Sequence, residues 1–298
     1  MQKRNVLVTG CKGQLGSELQ ALSVCSGDLE LFFYDLPELD ITRSDHIERF
    51  CRTLGVHAIV NCAAYTAVDR AETDIDAAFL VNRQGAAVLA SCAKEHGIML
   101  LHISTDYVFN GESCVPYRET DPASPLGVYG LSKWEGEECI RQIAPSHIII
   151  RTSWLYSVYG SNFVKTMLRL GSERESLHVV FDQVGTPTCA ADLAGAIKAI
   201  LERYDSSSVY RETYHYSNEG VCSWYDFALA VIQARGLPCR VLPVETSEYP
   251  TTARRPHFSV LNKGKIKKEW ELVIPHWKAS LERTIGRMTE GSGRQGNG

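Results

Sequence analysis

The chain lacks a Cys-x-x-Cys pair, although ten cysteines are spread through its 298 residues. Closely spaced pairs mark thiol redox centres and structural zinc sites, so neither has support here. No two of the nine histidines stand three to five residues apart, which leaves a His-based zinc site equally unsupported. No run approaches the roughly 18 apolar residues of a membrane span. The stretch behind the basic start, Asn5-Val6-Leu7-Val8, is too short for a signal-peptide core and reads as a buried strand. Basic residues are not in excess: 31 Lys and Arg against 35 Asp and Glu give −4, which advertises neither nucleic acid nor an anionic membrane. There is no internal repeat.

What the sequence has is the material of a core. Hydrophobic residues make up 44% and charged residues 22%, which excludes wholesale disorder. The length is about twice the ~150-residue domain prior, so one large unit or a principal domain with a smaller partner is expected. Cysteines inside apolar runs, such as Cys62 in Val60-Asn61-Cys62-Ala63-Ala64, read as small buried hydrophobes. Reduced thiols and the missing targeting signals together suggest a soluble cytoplasmic protein.

The first 150 residues alternate short β-rich runs with helical stretches. Strands are expected at 5–8, 29–34, 57–62, 99–104 and 147–151. Helices are expected at 14–22, 44–54 (with Ser44 as N-cap), 74–96 and 129–143. Strands separated by helices imply right-handed crossovers and a parallel sheet covered on both faces. The fold class is therefore α/β, a Rossmann-type doubly wound parallel sheet with a smaller α+β C-terminal substrate domain. Residues 1–152, with 186–212 returning to them, would form the nucleotide-binding domain. Residues 153–185 and 213–286, with helices at 162–170 and 223–235, would form the substrate-binding part. A helix at 190–204 lies in the returning segment, and 287–298 would be a flexible tail.

Gly10-Cys11-Lys12-Gly13-Gln14-Leu15-Gly16 follows the first strand and opens the first helix. Glycines there permit a tight turn and close backbone approach to a pyrophosphate at a helix N-terminus. Asp35 ends the second strand, where a carboxylate can bond an adenosine ribose. That favours NAD, whereas Lys12 and Arg43 could neutralise a 2′-phosphate, so NADPH and NADH both stay open. Asp40, beginning Asp40-Ile41-Thr42, is either an adenine-side contact or a solvated turn. Ala63, Ala64, Tyr65 and Thr66 close the third strand, small residues letting the backbone approach a cofactor.

Tyr129 and Lys133 stand one helical turn apart, so phenol and ammonium can address one pocket. A phenol with a pKa near 10 is a poor proton shuttle at neutral pH. A nearby lysine cation, together with a positive nicotinamide, is expected to lower it. Ser104 or Thr105, at the end of the preceding strand, can hydrogen-bond a substrate oxygen as charge develops on it.

On these residues the chain resembles the extended short-chain dehydrogenase/reductases, and within them the dTDP-4-dehydrorhamnose reductase family. The resemblance runs from Gly10 to about Trp277. It rests on Thr9-Gly10-x-x-Gly13-Gln14-Leu15-Gly16, on Asn61-x-Ala63-Ala64-Tyr65-Thr66 continuing to Glu72, and on Ser104-Thr105-Asp106-Tyr107-Val108-Phe109. Tyr129-Gly130-x-x-Lys133, Arg151-Thr152-Ser153-Trp154, Asp182-Gln183-x-Gly185-x-Pro187-Thr188 and Arg255-Pro256 extend it. The resemblance implies reduction of the C4 ketone of a dTDP-sugar by NADPH or NADH. Tyr129 would be the proton donor, Lys133 would hold the nicotinamide ribose and tune Tyr129, and Thr105 would adjust proton affinity near the ketone. Gly10, Gly13, Gln14, Leu15, Gly16, Asp35, Asp40, Ile41, Ala63, Ala64, Tyr65 and Thr66 would carry the cofactor. Thr105, Asp106, Trp154 and Arg255 would meet the substrate, Arg255 being as readily a structural ion pair. Some family members bind magnesium between subunits through carboxylates. Glu18 and Asp192 are present here but Ala191 interrupts the set, so no metal ligand is expected, and the chain is a monomer or homodimer. Two other readings are an epimerase or dehydratase that recycles its cofactor, and a non-catalytic subunit like the regulatory subunit of methionine adenosyltransferase.

Overall fold

The computed structural model describes residues 3–23 and 28–293. β1 (Arg4–Thr9) leads into α1 (Gln14–Leu22), and β2 (Leu29–Tyr34) into α2 (Ser44–Leu54). β3 (Ala58–Asn61) passes through the short α3 (Val68–Ala71) and α4 (Ile75–Phe79) into α5 (Gly85–His96). β4 (Met99–Thr105) is followed by α6 (Val128–Ile143) and β5 (His147–Thr152). Beyond come β6 (Leu155–Tyr156), α7 (Phe163–Glu173), β7 (Ser176–Val180), β8 (Val184–Gly185), β9 (Thr188–Cys189) and α8 (Ala190–Arg203). The chain finishes with β10 (Arg211–His215), β11 (Cys222–Ser223), α9 (Trp224–Arg235), β12 (Arg240–Val244), α10 (Gly264–Trp270) and α11 (Trp277–Gly293).

Six strands form one sheet in the order β10-β5-β4-β3-β1-β2, every neighbouring pair parallel. Side chains alternate across it as a two-residue period requires. Val6, Val8, Ala58, Val60, Leu101, Ile148 and Ile150 face a core closed by α1, α8 and α10. Leu7, Ile59, Leu100 and Ile149 face a second core under α2, α5 and α6. Burial on both faces explains why these strands read as continuous apolar runs. A third core, with Tyr156, Val164, Phe227, Val231 and Trp277, holds the C-terminal elements together.

The strand order reverses at β1. Its successor β2 lies on one side, while β3 lies on the other, and such a switch leaves a crevice beyond the carboxyl ends of the strands. Gly10 stands at that crevice with φ +70°, and a Cβ on it would come within 2.5 Å of the Ala63 nitrogen. Only glycine lets the two strand ends approach so closely.

Several expectations are corrected. The helix expected over 74–96 is interrupted by a π-helical turn, Leu80–Gln84. Ser44 is inside α2, whose N-cap is Arg43, and no side chain caps that end. β10 joins the sheet, so the segment returning to it runs to residue 215 rather than 212; α10 also packs into the sheet's core through Ile266 and Trp270. The expected tail begins too early, because α11 continues to Gly293 and Arg287 bonds Glu18. Residues 294–298 of that tail lie outside the described residues.

Candidate active site

The glycine turn delivers an open helix end. Gly13 is the N-cap of α1 with no side-chain cap, and the first turn of α1 carries no acidic residue, so its amide groups and positive dipole end are available to an anion. A pyrophosphate fits such a cradle. Gly16 keeps α1 close to the turn, since a Cβ there would lie 2.4 Å from the Gly10 carbonyl. Leu15 and Ile41 put their side chains into the cores, leaving only their main chain for a ligand. Gln14 turns the other way: its Oε1 accepts from Asn162 Nδ2 at 3.0 Å, tying the turn to the C-terminal body.

At the adenosine end, Asp35 accepts from the Lys12 backbone N–H at 2.9 Å and from that of Leu36 at 2.8 Å. The two cations expected to offset it are themselves paired, Lys12 with Glu38 at 3.7 Å and Arg43 with Asp45 at 2.7 Å. Asp40 closes a local turn on Thr42, accepting from its N–H at 2.9 Å and its hydroxyl at 2.7 Å. Tyr65 is held by Asn82 on the π-helical turn, whose Oδ1 accepts from the Tyr65 N–H at 2.9 Å. The same amide donates to Ser132 on α6 at 3.0 Å, so the loop bearing Ala63, Ala64, Tyr65 and the exposed Thr66 is fixed to the helix bearing Tyr129.

α6 is seated by three contacts. Glu72 Oε1 accepts from the Val128 N–H at 2.9 Å, a cap supplied from outside the helix. Gly130 lets the first turn lie against the Tyr107 carbonyl, 2.2 Å from where a Cβ would stand. Further along, Glu137 is fully buried and receives Arg151 (Nη2–Oε2 2.7 Å) and Arg141 (2.6 Å). The two periods match: His102 and Ser104, two apart on β4, meet Lys133 and Glu137, four apart on α6. Ser104 donates to Glu137 at 2.5 Å and is thereby committed to the helix, which leaves Thr105 as the hydroxyl of the site.

Thr105 donates to Asp106 Oδ1 at 3.1 Å, and Tyr129 stands beside it with its ring edge-on to Tyr107, 5.5 Å between centroids. Burial pushes the Tyr129 phenol up to about 12, with the Thr105 hydroxyl opposing. Lys133, 2% exposed, is pulled down to about 8 by burial, although Glu137 favours its charge. Among the chain's own groups burial prevails, and Tyr129 is held as the acid. Asp106 is likewise pushed up to about 7 by burial, with the hydroxyls of Thr105 and Ser259 opposing.

The substrate-side residues flank this set. Trp154 adopts φ +48°, rare for a large side chain, and stacks on Trp224 with 3.7 Å between centroids and 11° between planes. Gly185 makes room for it, since a Cβ there would be 2.7 Å from the indole. Arg255 makes a forked pair with Asp69 (2.6 and 3.2 Å) and also lines a cleft of about 360 Å³ with Tyr107, Phe163, Gln183 and Trp224. The carboxylates considered for magnesium do not fit a metal. Glu18 is taken by Ser157 at 2.7 Å and Arg287 at 3.0 Å, and Asp192 by Asn218, Ser280 and Arg283. Elsewhere Glu48, Cys92 and His96 come together across α2 and α5, but Glu48 is already shared between His96 at 2.8 Å and Arg52 at 2.5 Å.

Sequence reasoning passed over His102, Asn82, Glu137 and Trp224. The first and third were legible as the two-against-four match of strand and helix; Asn82 and Trp224 come from segments whose place in the fold no local pattern gives.

The family described as the RmlD substrate binding domain matches residues 4–290. The dTDP-4-dehydrorhamnose reductase of Aggregatibacter actinomycetemcomitans is 41% identical over 285 residues, covering 93% of this chain and 97% of that protein. The crystal structure of the Clostridium acetobutylicum dTDP-4-dehydrorhamnose reductase is 38% identical with a TM-score of 0.90, covering 96% of this chain and 99% of the other. That of Bacillus anthracis, in complex with NADP, is 39% identical with a TM-score of 0.90, covering 96% and 100%. With its glycine turn, its Thr105–Tyr129–Lys133 set and relatives matched over almost their whole length, the chain belongs to the dTDP-4-dehydrorhamnose reductase family of NAD(P)-dependent oxidoreductases.

Proposed function

We propose that the chain reduces the C4 ketone of dTDP-4-dehydro-6-deoxy-L-mannose to dTDP-L-rhamnose, using NADPH or NADH. What supports this reading is that Tyr129 lies beside the Thr105 hydroxyl and is held as a protonated phenol, one helical turn along α6 from Lys133, which bonds the Ile103 carbonyl on the strand that ends at Thr105. The nicotinamide, when bound, supplies the hydride. Everything else falls to the chain's own side chains.

The α1 N-terminus at Gly13 and the close approach of Gly10 to Ala63 receive the pyrophosphate; Asp35 receives the adenosine ribose, with Asp40 and the main chain of Ile41 beside it. Ala63, Ala64, Tyr65 and Thr66 line the path towards the nicotinamide, whose ribose Lys133 holds. Tyr129 gives its proton to the oxygen that becomes the C4 hydroxyl. Thr105 donates a hydrogen bond to that oxygen as charge gathers there. Asp106 accepts from a sugar hydroxyl. Trp154, fixed by its stack on Trp224, lines the sugar pocket, and Arg255, paired with Asp69, faces the diphosphate. A nucleotide sugar and a nicotinamide are both cytoplasmic metabolites, which suits a chain with free thiols.

Purified protein given NADPH and the 4-keto sugar nucleotide should oxidise one cofactor per ketone reduced. Absence of turnover with every dTDP-ketosugar and either cofactor overturns the reading; turnover without net cofactor consumption points instead to an epimerase or dehydratase.

A further inference from the structure

α2 and α5 cover the same face of the sheet, and each turns a pair of metal-binding side chains towards the other. α2 supplies Glu48 and Cys51, three apart; α5 supplies Cys92 and His96, four apart. Both spacings put the two side chains of a pair on one helix face. Ligands drawn in this way from two helices need neither a Cys-x-x-Cys pair nor two neighbouring histidines. The Sγ atoms of Cys51 and Cys92 are 3.3 Å apart. Cys92 Sγ lies 4.0 Å from Glu48 Oε2, and His96 Nε2 lies 2.8 Å from the same oxygen. The ligand atoms of Glu48, Cys92 and His96 all fall within 4.8 Å of one another. Bonds of about 2.0–2.3 Å to a tetrahedral zinc ion would set its ligand atoms roughly 3.3–3.8 Å apart. The observed spacings bracket that range, so modest side-chain rotations gather the four atoms around one centre.

We propose that Glu48, Cys51, Cys92 and His96 form a zinc site that ties α2 to α5. Two thiolates, an imidazole and a carboxylate suit zinc; magnesium, which takes oxygen ligands, is not served by them. Arg52 does not compete for the position, because it holds Glu48 Oε1 at 2.5 Å, whereas the oxygen that His96 and Cys92 approach is Oε2. The metal replaces the hydrogen between His96 Nε2 and Oε2, and Arg52 stays on the outer oxygen, where it orients the carboxylate. Glu48 and Cys92 also line an open cleft of about 430 Å³, an entry path whose charged residues, Asp45, Glu48 and Glu95, are all acidic. A cleft of one charge sign draws in the opposite ion. Behind it Cys51 and Cys92 are buried, which shields the metal–sulfur bonds from water. Binding forms two zinc–sulfur bonds and releases the two thiol protons to solvent. With all four positions filled from the chain, the ion has no vacancy for a substrate and serves the packing of the two helices. The site shares no residue with Thr105, Tyr129 and Lys133, and the inference stands apart from the proposed reaction.

Cobalt(II) added to the full chain, reduced and stripped of metal, reads the site by absorption and needs no turnover. That metal-free chain is also the starting form for any test of magnesium elsewhere in the molecule. The titration should saturate at a single equivalent, with a sulfur-to-cobalt charge-transfer band in the near ultraviolet and the intense visible bands of tetrahedral cobalt. Zinc should then bleach both. Cys51→Ser and Cys92→Ser should each remove about half of the charge-transfer intensity, one thiolate of two. Because those thiols stand in the core, Glu48→Gln and His96→Gln, nearer the surface, give a second arm. Both should keep the charge-transfer band and weaken cobalt binding by at least the ~10-fold that loss of an outer-shell partner costs. Cys114→Ser, at an exposed thiol outside the site, should change nothing. Cobalt that stays pale and octahedral in the wild type overturns the proposal. So does a charge-transfer band at full strength in Cys51→Ser or Cys92→Ser, or an affinity unchanged in both Glu48→Gln and His96→Gln.

Discussion

Ser104 and Thr105 are neighbours on β4, yet their hydroxyls serve different partners: Ser104 donates to Glu137 at 2.5 Å, inside the α6 interface, while Thr105 donates to Asp106 at 3.1 Å beside Tyr129. Alternation along a strand sends consecutive side chains to opposite faces. The two substitutions should therefore separate cleanly. Thr105→Val is expected to lower kcat about 10²-fold, the order found for loss of one donor to a developing charge, with the melting temperature little changed. Ser104→Ala removes a donor from a buried carboxylate and should cost about 1–3 kcal/mol of stability with kcat nearly intact. Steady-state kinetics and denaturant unfolding on both variants check this; a larger kcat loss in Ser104→Ala than in Thr105→Val refutes the assignment.

Tyr129→Phe keeps the ring against Tyr107 and removes only the hydroxyl. Turnover should fall by about 10²–10⁴, the usual worth of a positioned acid, while cofactor affinity stays nearly unchanged. Single-turnover rates and cofactor fluorescence titration give the two numbers independently.

Much of this was readable in the sequence, and the reason is physical. β1, β3, β4 and β5 are buried on both faces, so their apolar runs stand out, and the glycine turn and the Tyr129–Lys133 spacing are local patterns. β10, with the sequence Arg211-Glu212-Thr213-Tyr214-His215, is an edge strand without an apolar run, and nothing local places it next to β5. The tail was misread for a similar reason: the sequence from Arg287 to Gly293 has Met288 as its one large apolar residue, and Arg287 is anchored by a pair with Glu18, 269 residues away in sequence. Sequence gives the lysine's charge but not the burial that opposes it.

Gly10→Ala tests the crevice. The new methyl group would stand 2.5 Å from the Ala63 nitrogen and impose a side chain on φ +70°. Backbone atoms on both sides must shift, at about 1–3 kcal/mol. Cofactor binding should weaken more than stability suggests, because the shift falls on the pyrophosphate cradle; calorimetric titration with NADPH against thermal melting measures the difference.

Asp106 should make stability depend on pH. Its folded pKa, about 7, lies above the ordinary carboxyl value because burial opposes its charge. For a raised pKa the contribution is full below the unfolded value near 4, and it is lost as pH rises through about 7. Asp106→Asn carries no such titration. Relative to that variant, the wild type should therefore lose stability between about pH 4 and 7, by at most about 4 kcal/mol. Unfolding free energies of both proteins across that window decide the matter, and a difference that grows in the opposite direction excludes a buried, uncharged Asp106.

Arg287 does for Glu18 what a metal would do elsewhere. Glu18 is 2% exposed and accepts from Ser157 at 2.7 Å and from Arg287 at 3.0 and 3.2 Å, while Asp192 is taken up by Arg283, Ser280 and Asn218. Both carboxylates are thus neutralised from α11, within the same chain. A chelator should consequently leave the melting temperature and the molecular mass in solution unchanged. Arg287→Ala should behave differently, stranding a buried carboxylate. Breaking such a pair costs about 3–5 kcal/mol when both partners are buried, and about 1–3 kcal/mol here because the guanidinium is partly exposed. Added magnesium should restore little of that loss, because Ser157, which bonds Glu18 among the described residues, offers a neutral hydroxyl and no second charge. A chelator-sensitive melting temperature in the wild type, or full rescue of Arg287→Ala by magnesium, would show that α11 is not the counter-charge for these two acids.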